Sequence, residues 1–205
     1  MSIIILDTET TGIPEKNRHG EYFSYKNLCF YDKSRVIQLS YQCVDTDFNK
    51  VYERNYLIKG VDQITNSEIH GITVDKLNKV GYDIRDIIGN IFTDFSKCDV
   101  IICHNLAFDI IVLKSELYRN GYTECIDILN RKKLICSMRK LRDVVQIKNE
   151  YGKNKLPKLK EVYNLAFGTY SFEGEHDASC DVEALRSSLS KLKKDGVIDI
   201  LSNVI

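Results

Sequence analysis

The sequence predicts an α/β fold, a mixed sheet flanked by helices. Three observations predict it. An apolar run at the start is followed by two strand-like runs joined through a short turn. From there short apolar strands alternate with segments of helical periodicity. The 205 residues, 43% hydrophobic and 28% charged, suffice for one sizeable core, so 1–205 reads as a single domain.

The elements follow in order. Residues 2–7 read as a strand through Ile3, Ile4, Ile5 and Leu6. RVIQLSYQCV (35–44) alternates roughly and is rich in β-branched and aromatic residues, as a strand should be. KVYERNYLIKG (50–60) fits its hairpin partner, with 45–49 as the turn. TVDKLNKVG (73–81) and DIRDIIGNIFTDF (83–95) space their apolar residues helically. DVIICHN (99–105) is a short apolar strand, and 106–120 is an amphipathic helix stopped by Asn120-Gly121. KLICS (133–137) is a further strand. SMRKLRDVVQI (137–147), KLKEVYNLAFG (158–168) and ASCDVEALRSSLSKLKK (178–194) read as helices. The terminal GVIDILSNVI (196–205) suits core, tail or a dimer contact equally.

Residues 13–34 stand outside this pattern, as an insertion. They interleave Tyr22, Phe23, Tyr25, Phe30 and Tyr31 with Lys16, Arg18, Lys26 and Lys33. That composition suits stacking and clamping of single-stranded nucleic acid. It equally suits a long loop packed on its own aromatics.

Formal net charge is zero, which excludes a globally basic nucleic-acid binder. The distribution is uneven: residues 131–160 hold eleven Lys or Arg against two acids, Asp143 and Glu150, a net +9 from 11 − 2. Such a block is a footprint for phosphates or a solvated helical face. The seven cysteines form no CxxC pair and do not cluster with histidine, which excludes a zinc site. The N-terminal apolar run meets Asp7 too soon for a signal peptide or membrane span. Reduced thiols in an intracellular compartment, cytoplasmic or nuclear, with no membrane partner, are therefore expected.

Three acidic stretches carry the chemistry. In LDTETTG (6–12), Asp7 and Glu9 share one face at a strand's C-terminal end, the edge where open α/β sheets bind ligands. Two ordinary solvent-facing acids have the same spacing. In HNLAFD (104–109), Asn105 is placed to cap a helix and Asp109 follows one turn in. In HDASCDVEAL (176–185), Asp177 is a natural N-cap and Asp181 lies in the first turn. His176 and Asp181 lie five residues apart, ~140° on one helix, so His176 belongs to the preceding loop. Asp177 is the rival to Asp181 for a site role and is preferred as the cap. Four carboxylates without thiolates suit Mg²⁺ or Mn²⁺, and their number suits two ions flanking a phosphodiester.

DTETTG, HNLAFD and HDASCD, in this order, resemble the three motifs of the DEDDh 3′–5′ exonuclease superfamily, the DnaQ-like group that includes polymerase III epsilon-type proofreading exonucleases. VIQLS (36–40), SEIHGIT (67–73) and LPKLKEVY (156–163) extend the resemblance over almost the whole chain. The resemblance implies an RNase H-like fold with a five-stranded mixed sheet. It implies two Mg²⁺ or Mn²⁺ ions held by Asp7, Glu9, Asp109 and Asp181, with His176 as general base. Asp7 then bridges both ions, Glu9 and Asp181 complete one site, and Asp109 serves the other. It further implies substrate contacts from Thr8, Thr10, Ile69, His70, Asn105 and Phe108. The expected reaction is release of nucleoside monophosphates from single-stranded or frayed 3′ ends. DNA is favoured, because IHGIT looks like the proofreading and repair branches. Two alternatives stand beside it: an RNA-trimming exoribonuclease, and a catalytically silent nucleic-acid-binding or polymerase-partner domain. A polymerase partner or a homodimer is compatible with the resemblance; the sequence fixes neither.

Overall fold

The computed structural model describes residues 1–202. The first apolar run continues as a strand through its acids: β1 spans Ile3–Thr10. It lies at the centre of the sheet because its aliphatic residues are needed on both faces. Ile4 and Leu6 enter one core, Ile3 and Ile5 the other, all with no exposed surface. β2 (Val36–Val44) pairs antiparallel to β1 and to β3 (Lys50–Leu57), the predicted hairpin. β4 (Val100–Cys103) and β5 (Lys133–Cys136) add in parallel, giving the order β3-β2-β1-β4-β5. The predicted five-stranded mixed sheet is therefore present.

Short helices α1 (Ser67–His70) and α2 (Val74–Val80) close the hairpin end, where Ile37, Ile72 and Leu77 form a small third cluster. One face of the sheet is covered by α3 (Ile84–Lys97), α4 (Leu106–Arg119) and α5 (Thr123–Arg131). The sequence reading does not include α5, although Cys125, Ile126 and Leu129 recur at helical spacing and are buried. The other face carries α8 (Leu159–Phe167) and α9 (Ala178–Lys194). The helix expected over 137–147 is instead two single turns, α6 (Ser137–Lys140) and α7 (Arg142–Val145). Leu141, with no exposed surface, breaks the run at φ −92°, ψ −2° as it plugs the core, and Gln146 ends it in the left-handed region at φ 58°. Ile200 and Leu201 join the α9-side core, so the core reading holds for that part of the terminus; 203–205 lie outside the described residues.

Residues 13–34 fold back onto α4. Phe23 and Phe30 stack at 3.7 Å, Tyr25 meets Tyr118 edge-on at 5.8 Å, and buried Tyr31 donates its hydroxyl hydrogen to the Phe23 carbonyl. Arg119 ties the segment down through Asp32 at 2.7 Å. The loop thus packs on most of its own aromatics, with Tyr22 left at its inner edge against Phe108 at 6.5 Å. Among the described residues no helix is long and apolar enough to cross a membrane, and all seven cysteines are free.

Candidate active site

The end of β1 is held by neighbouring backbone and by the hydroxyls of its own threonines. A bulge between Glu9 and Thr10 breaks the β2 register there. Thr11 donates its amide to the Arg35 carbonyl at 2.9 Å, its hydroxyl oxygen accepts from the Arg35 amide at 3.0 Å, and its carbonyl accepts from the Thr65 amide at 3.1 Å. Gly12 passes so close to Lys33 that a Cβ would lie 2.6 Å from its carbonyl oxygen, so only glycine fits. The strand end is therefore rigid where the acids project.

Asp7 and Glu9 point to the α9 side, in line with Ile3 and Ile5. There Asp181, in the first turn of α9, brings a carboxylate to them: ligand oxygens of Asp7, Glu9 and Asp181 all lie within 4.8 Å of one another. Asp177 is the N-cap of α9, accepting from the Ser179 amide at 2.9 Å and the Cys180 amide at 3.4 Å. Gln38 on β2 fixes this helix end, donating to Asp177 at 3.2 Å and accepting from the Ala178 amide at 3.2 Å. Sequence reasoning missed Gln38 as a positioning residue; a glutamine at a buried position of an apolar strand was the available signal.

Asp109 reaches the strand end from the opposite layer, on the first turn of α4. It is 2% exposed, and one of its oxygens accepts from both the Thr8 amide at 3.1 Å and the Thr8 hydroxyl at 2.8 Å. Thr8 thus orients an acid, and Thr10 spends its hydroxyl on the Gly12 carbonyl at 2.7 Å. Both threonines are buried, at 4% and 3% exposure, so their side chains face the protein. Asn105 stands at the N-cap of α4, but its side chain makes no cap bond, contrary to expectation. At φ −114°, ψ 64° the backbone is outside the extended region that aims a cap oxygen back at the first turn.

Electrostatically the four acids share one condition. Burial raises the Asp7 carboxyl well above the usual range, and the charges of Asp109, Asp181 and Glu9 raise it further. Burial and Asp181 push Glu9 up to about 8. Burial brings Asp109 to about 7 against the opposing Thr8 hydrogen bonds, and Asp181 to about 7 against the bond from the His176 amide. Asp177 differs: burial raises it, but donors from Ser179 and Gln38 outweigh burial and leave it lowered.

His176 lies on the loop before α9, in the left-handed region at φ 71°. Its backbone amide points to Asp181 at 3.4 Å, whereas its ring is exposed, with Glu175 3.9 Å from Nε2. His70 is buried at 8% exposure; its Nδ1 accepts from the Ile72 amide at 3.1 Å, its Nε2 has no partner among the described residues, and burial lowers its pKa. Ile69 beside it is exposed. The fold therefore gathers Asp7, Glu9, Asp181 and Asp109 at one sheet end, with His176 on the loop above it.

The donor set fits a hard divalent cation. All contributing atoms are carboxylate oxygens, their negative charge meets no Lys or Arg among the described residues, and their raised pKa values mark a deficit of positive charge.

Comparison with solved structures gives the same fold. An Exonuclease I structure matches with a TM-score of 0.73 at 20% identity, covering 98% of this chain and 43% of that one. E. coli Exonuclease I in complex with a dA16 oligonucleotide matches at 0.72 and 19% identity, covering 98% and 43%. Exonuclease I from Methylocaldum szegediense matches at 0.70 and 20%, covering 98% and 42%. The chain thus spans less than half the length of these proteins. No curated protein matches it. The RNase_T family model, described as Exonuclease, matches residues 4–186. This match, over most of the chain, shows that the chain belongs to the exonuclease family, and the solved structures show that it shares their RNase H-like fold.

Proposed function

We propose that this chain is a divalent-metal-dependent 3′–5′ exonuclease that releases nucleoside monophosphates from single-stranded or frayed 3′ ends, with DNA favoured over RNA. The observation that carries the reading is the set of half-buried carboxylates of Asp7, Glu9 and Asp181, with buried Asp109 behind them and no counter-cation among the described residues, at the end of β1 in a chain of the exonuclease family. Relatives in fold support the substrate class: Exonuclease I structures hold dA16 and dT13 oligonucleotides.

Asp7, Glu9 and Asp181 would hold one Mg²⁺ or Mn²⁺, with Asp7 shared and Asp109 serving a second ion. Bound there, two such ions supply positive charge against the oxygens of a phosphodiester undergoing in-line displacement. The rest belongs to the chain. Thr8 fixes the orientation of Asp109, and Gln38 fixes the start of α9 and with it Asp181. His176 accepts the proton of the attacking water at its ring; phosphorus gains the water oxygen and the bond to the preceding nucleotide's 3′ oxygen breaks, that oxygen taking up a proton. An exposed ring on a glycine-bearing loop suits a base that docks only over substrate, and Gly174 at φ 77° supplies the turn. Ile69, His70 and Phe108 line the approach for the terminal nucleotide.

A 3′-labelled single strand, incubated with Mg²⁺ and then with EDTA, tests the reading. Label is expected to leave as mononucleotide only with the metal, and faster from DNA than from a matched RNA. No metal-dependent loss of label overturns it in favour of a silent binding domain.

A further inference from the structure

The active site has an open neighbour. Between the 13–34 segment, α4 and the β5 edge lies a cleft of about 1070 Å³. We infer that this cleft takes the single-stranded nucleic acid upstream of the cleaved 3′ end, as a second binding site; the inference rests on the exonuclease reading above.

Continuity with the site is the first argument. Leu106 and Ala107 line the cleft from the same turn of α4 that carries Asp109 to the acids. β1, β4 and β5 run parallel, so their C-terminal ends lie on one edge, and β5 is two strand spacings, roughly 10 Å, from β1. A strand leaving the acids along this edge enters the cleft.

Charge is the second. Lys16, Arg139 and Lys140 line the cleft, are exposed, and make no ion pair among the described residues. Lys16 sits 4.6 Å over the Tyr22 ring, which fixes its ammonium at the rim. Three other cations of the 131–160 block are already engaged by the protein's own groups. Lys132 donates to the Ser96 and Cys98 carbonyls at 3.0 and 2.6 Å, Arg142 pairs with Asp143, and Lys155 pairs with Glu161. The one acid of the lining, Glu21, accepts from Asn17 at 3.2 Å.

The floor is the third. Ile110, Leu134 and Met138 make it apolar beneath a cationic rim. A single strand presents charged phosphates on one side and flat apolar bases on the other, which matches both surfaces. At about 1070 Å³ the cleft sits at the top of the ~300–1,000 Å³ range of small-ligand pockets, which leaves room for more than one nucleotide.

The test uses the full chain with Lys16→Ala, Arg139→Ala and Lys140→Ala combined, and separately Ala107→Trp, which fills the cleft without changing charge. Binding of a long oligothymidylate is read by anisotropy with Ca²⁺ in place of Mg²⁺, and hydrolysis of a dinucleotide is read with Mg²⁺. The triple variant is expected to weaken long-strand binding ~10-fold or more and to lower the salt slope by ~2–3. Ala107→Trp is expected to weaken it with the salt slope kept. Dinucleotide turnover and melting temperature should stay at wild type in both, which reports an intact fold. Unchanged long-strand affinity in both variants overturns the inference and leaves the cleft to a peptide or another partner. If wild type hydrolyses nothing while the variants still lose strand binding, the exonuclease reading fails and the cleft stands.

Discussion

In the layer built from α3 and α4, Glu116 and Asp94 are buried at 3% and 6% exposure, and each has a counter-charge or donor. Arg35 grips Glu116 with two bonds of 2.7 Å, and Asp94 accepts from the Tyr41 hydroxyl at 2.8 Å and Arg54 at 3.3 Å. At the end of β1, Asp7, Glu9, Asp109 and Asp181 meet mainly one another and a few neutral donors. Leaving an ion out of water without a partner costs several kcal/mol. A chain that provides cations for Glu116 and Asp94 and none for buried Asp109 and the half-buried Asp7, Glu9 and Asp181 has a local deficit, and a deficit of this kind is what a bound cation fills. The two regions make the metal reading a contrast within one molecule rather than an argument from acidity alone.

The sharpest way to break the contrast is to neutralise one acid on each side. Asp181→Asn removes a like charge from a crowded site, so the metal-free melting temperature should rise while cleavage falls on the order of 10³-fold. Glu116→Gln leaves Arg35 without its partner, so stability should fall by on the order of 2–3 kcal/mol with kcat kept. Melting curves in EDTA beside cleavage assays decide it. Shifts of the same sign in both variants would mean that the two regions do not differ as described.

A second effect, smaller and spread over several groups, is pH dependence. Folding raises Glu9 to about 8 and Asp109 and Asp181 to about 7. A group with a raised folded pKa contributes its stability in full below its unfolded value and loses it as pH rises through the folded one. His70 and His104, both lowered by burial, act the other way, but only below their ordinary 6.5. Between pH 6.5 and 8 the carboxylates act without that opposition, so the metal-free melting temperature should fall across this window. Mg²⁺ should raise it more at pH 8 than at 6.5, because the ion competes with protons for the same oxygens. A flat metal-free profile, or an equal metal shift at both pH values, would contradict the uncompensated-acid account.

Local chemistry made part of this legible in the sequence. Asp7 and Glu9 two apart on an apolar run, and Asp177 before a helix, announce themselves through neighbours along the chain. What stayed hidden depends on contacts across it. Thr8 reaches Asp109 over 101 positions and Gln38 reaches the α9 start over 140, and no spacing rule registers either. Leu141 breaks 137–147 because the core needs its side chain there, and tertiary demand overrides a helical period. Asn105 shows the reverse limit: a good cap residue at the right position whose backbone angles deny it the bond.

The finest form of the comparison lies within α9 itself, between two aspartates four residues apart. Asp177 and Asp181 carry the same group at the same helix end, where the dipole favours both. Asp177 is surrounded by donors, and its pKa is lowered; Asp181 receives one amide bond of 3.4 Å beside other acids, and its pKa is raised to about 7. Asp177→Ala removes a cap and the Gln38 contact, so it should cost ~1 kcal/mol of stability while cleavage stays within a few fold of wild type. Asp177→Asn, which keeps an acceptor oxygen, should recover most of that stability. Thermal melts and cleavage rates of the two variants separate a helix-holding acid from a metal-holding one. Were Asp177→Ala inactive at full stability, the roles of the two aspartates would have to be exchanged, since a cap fails through folding and a ligand fails through chemistry.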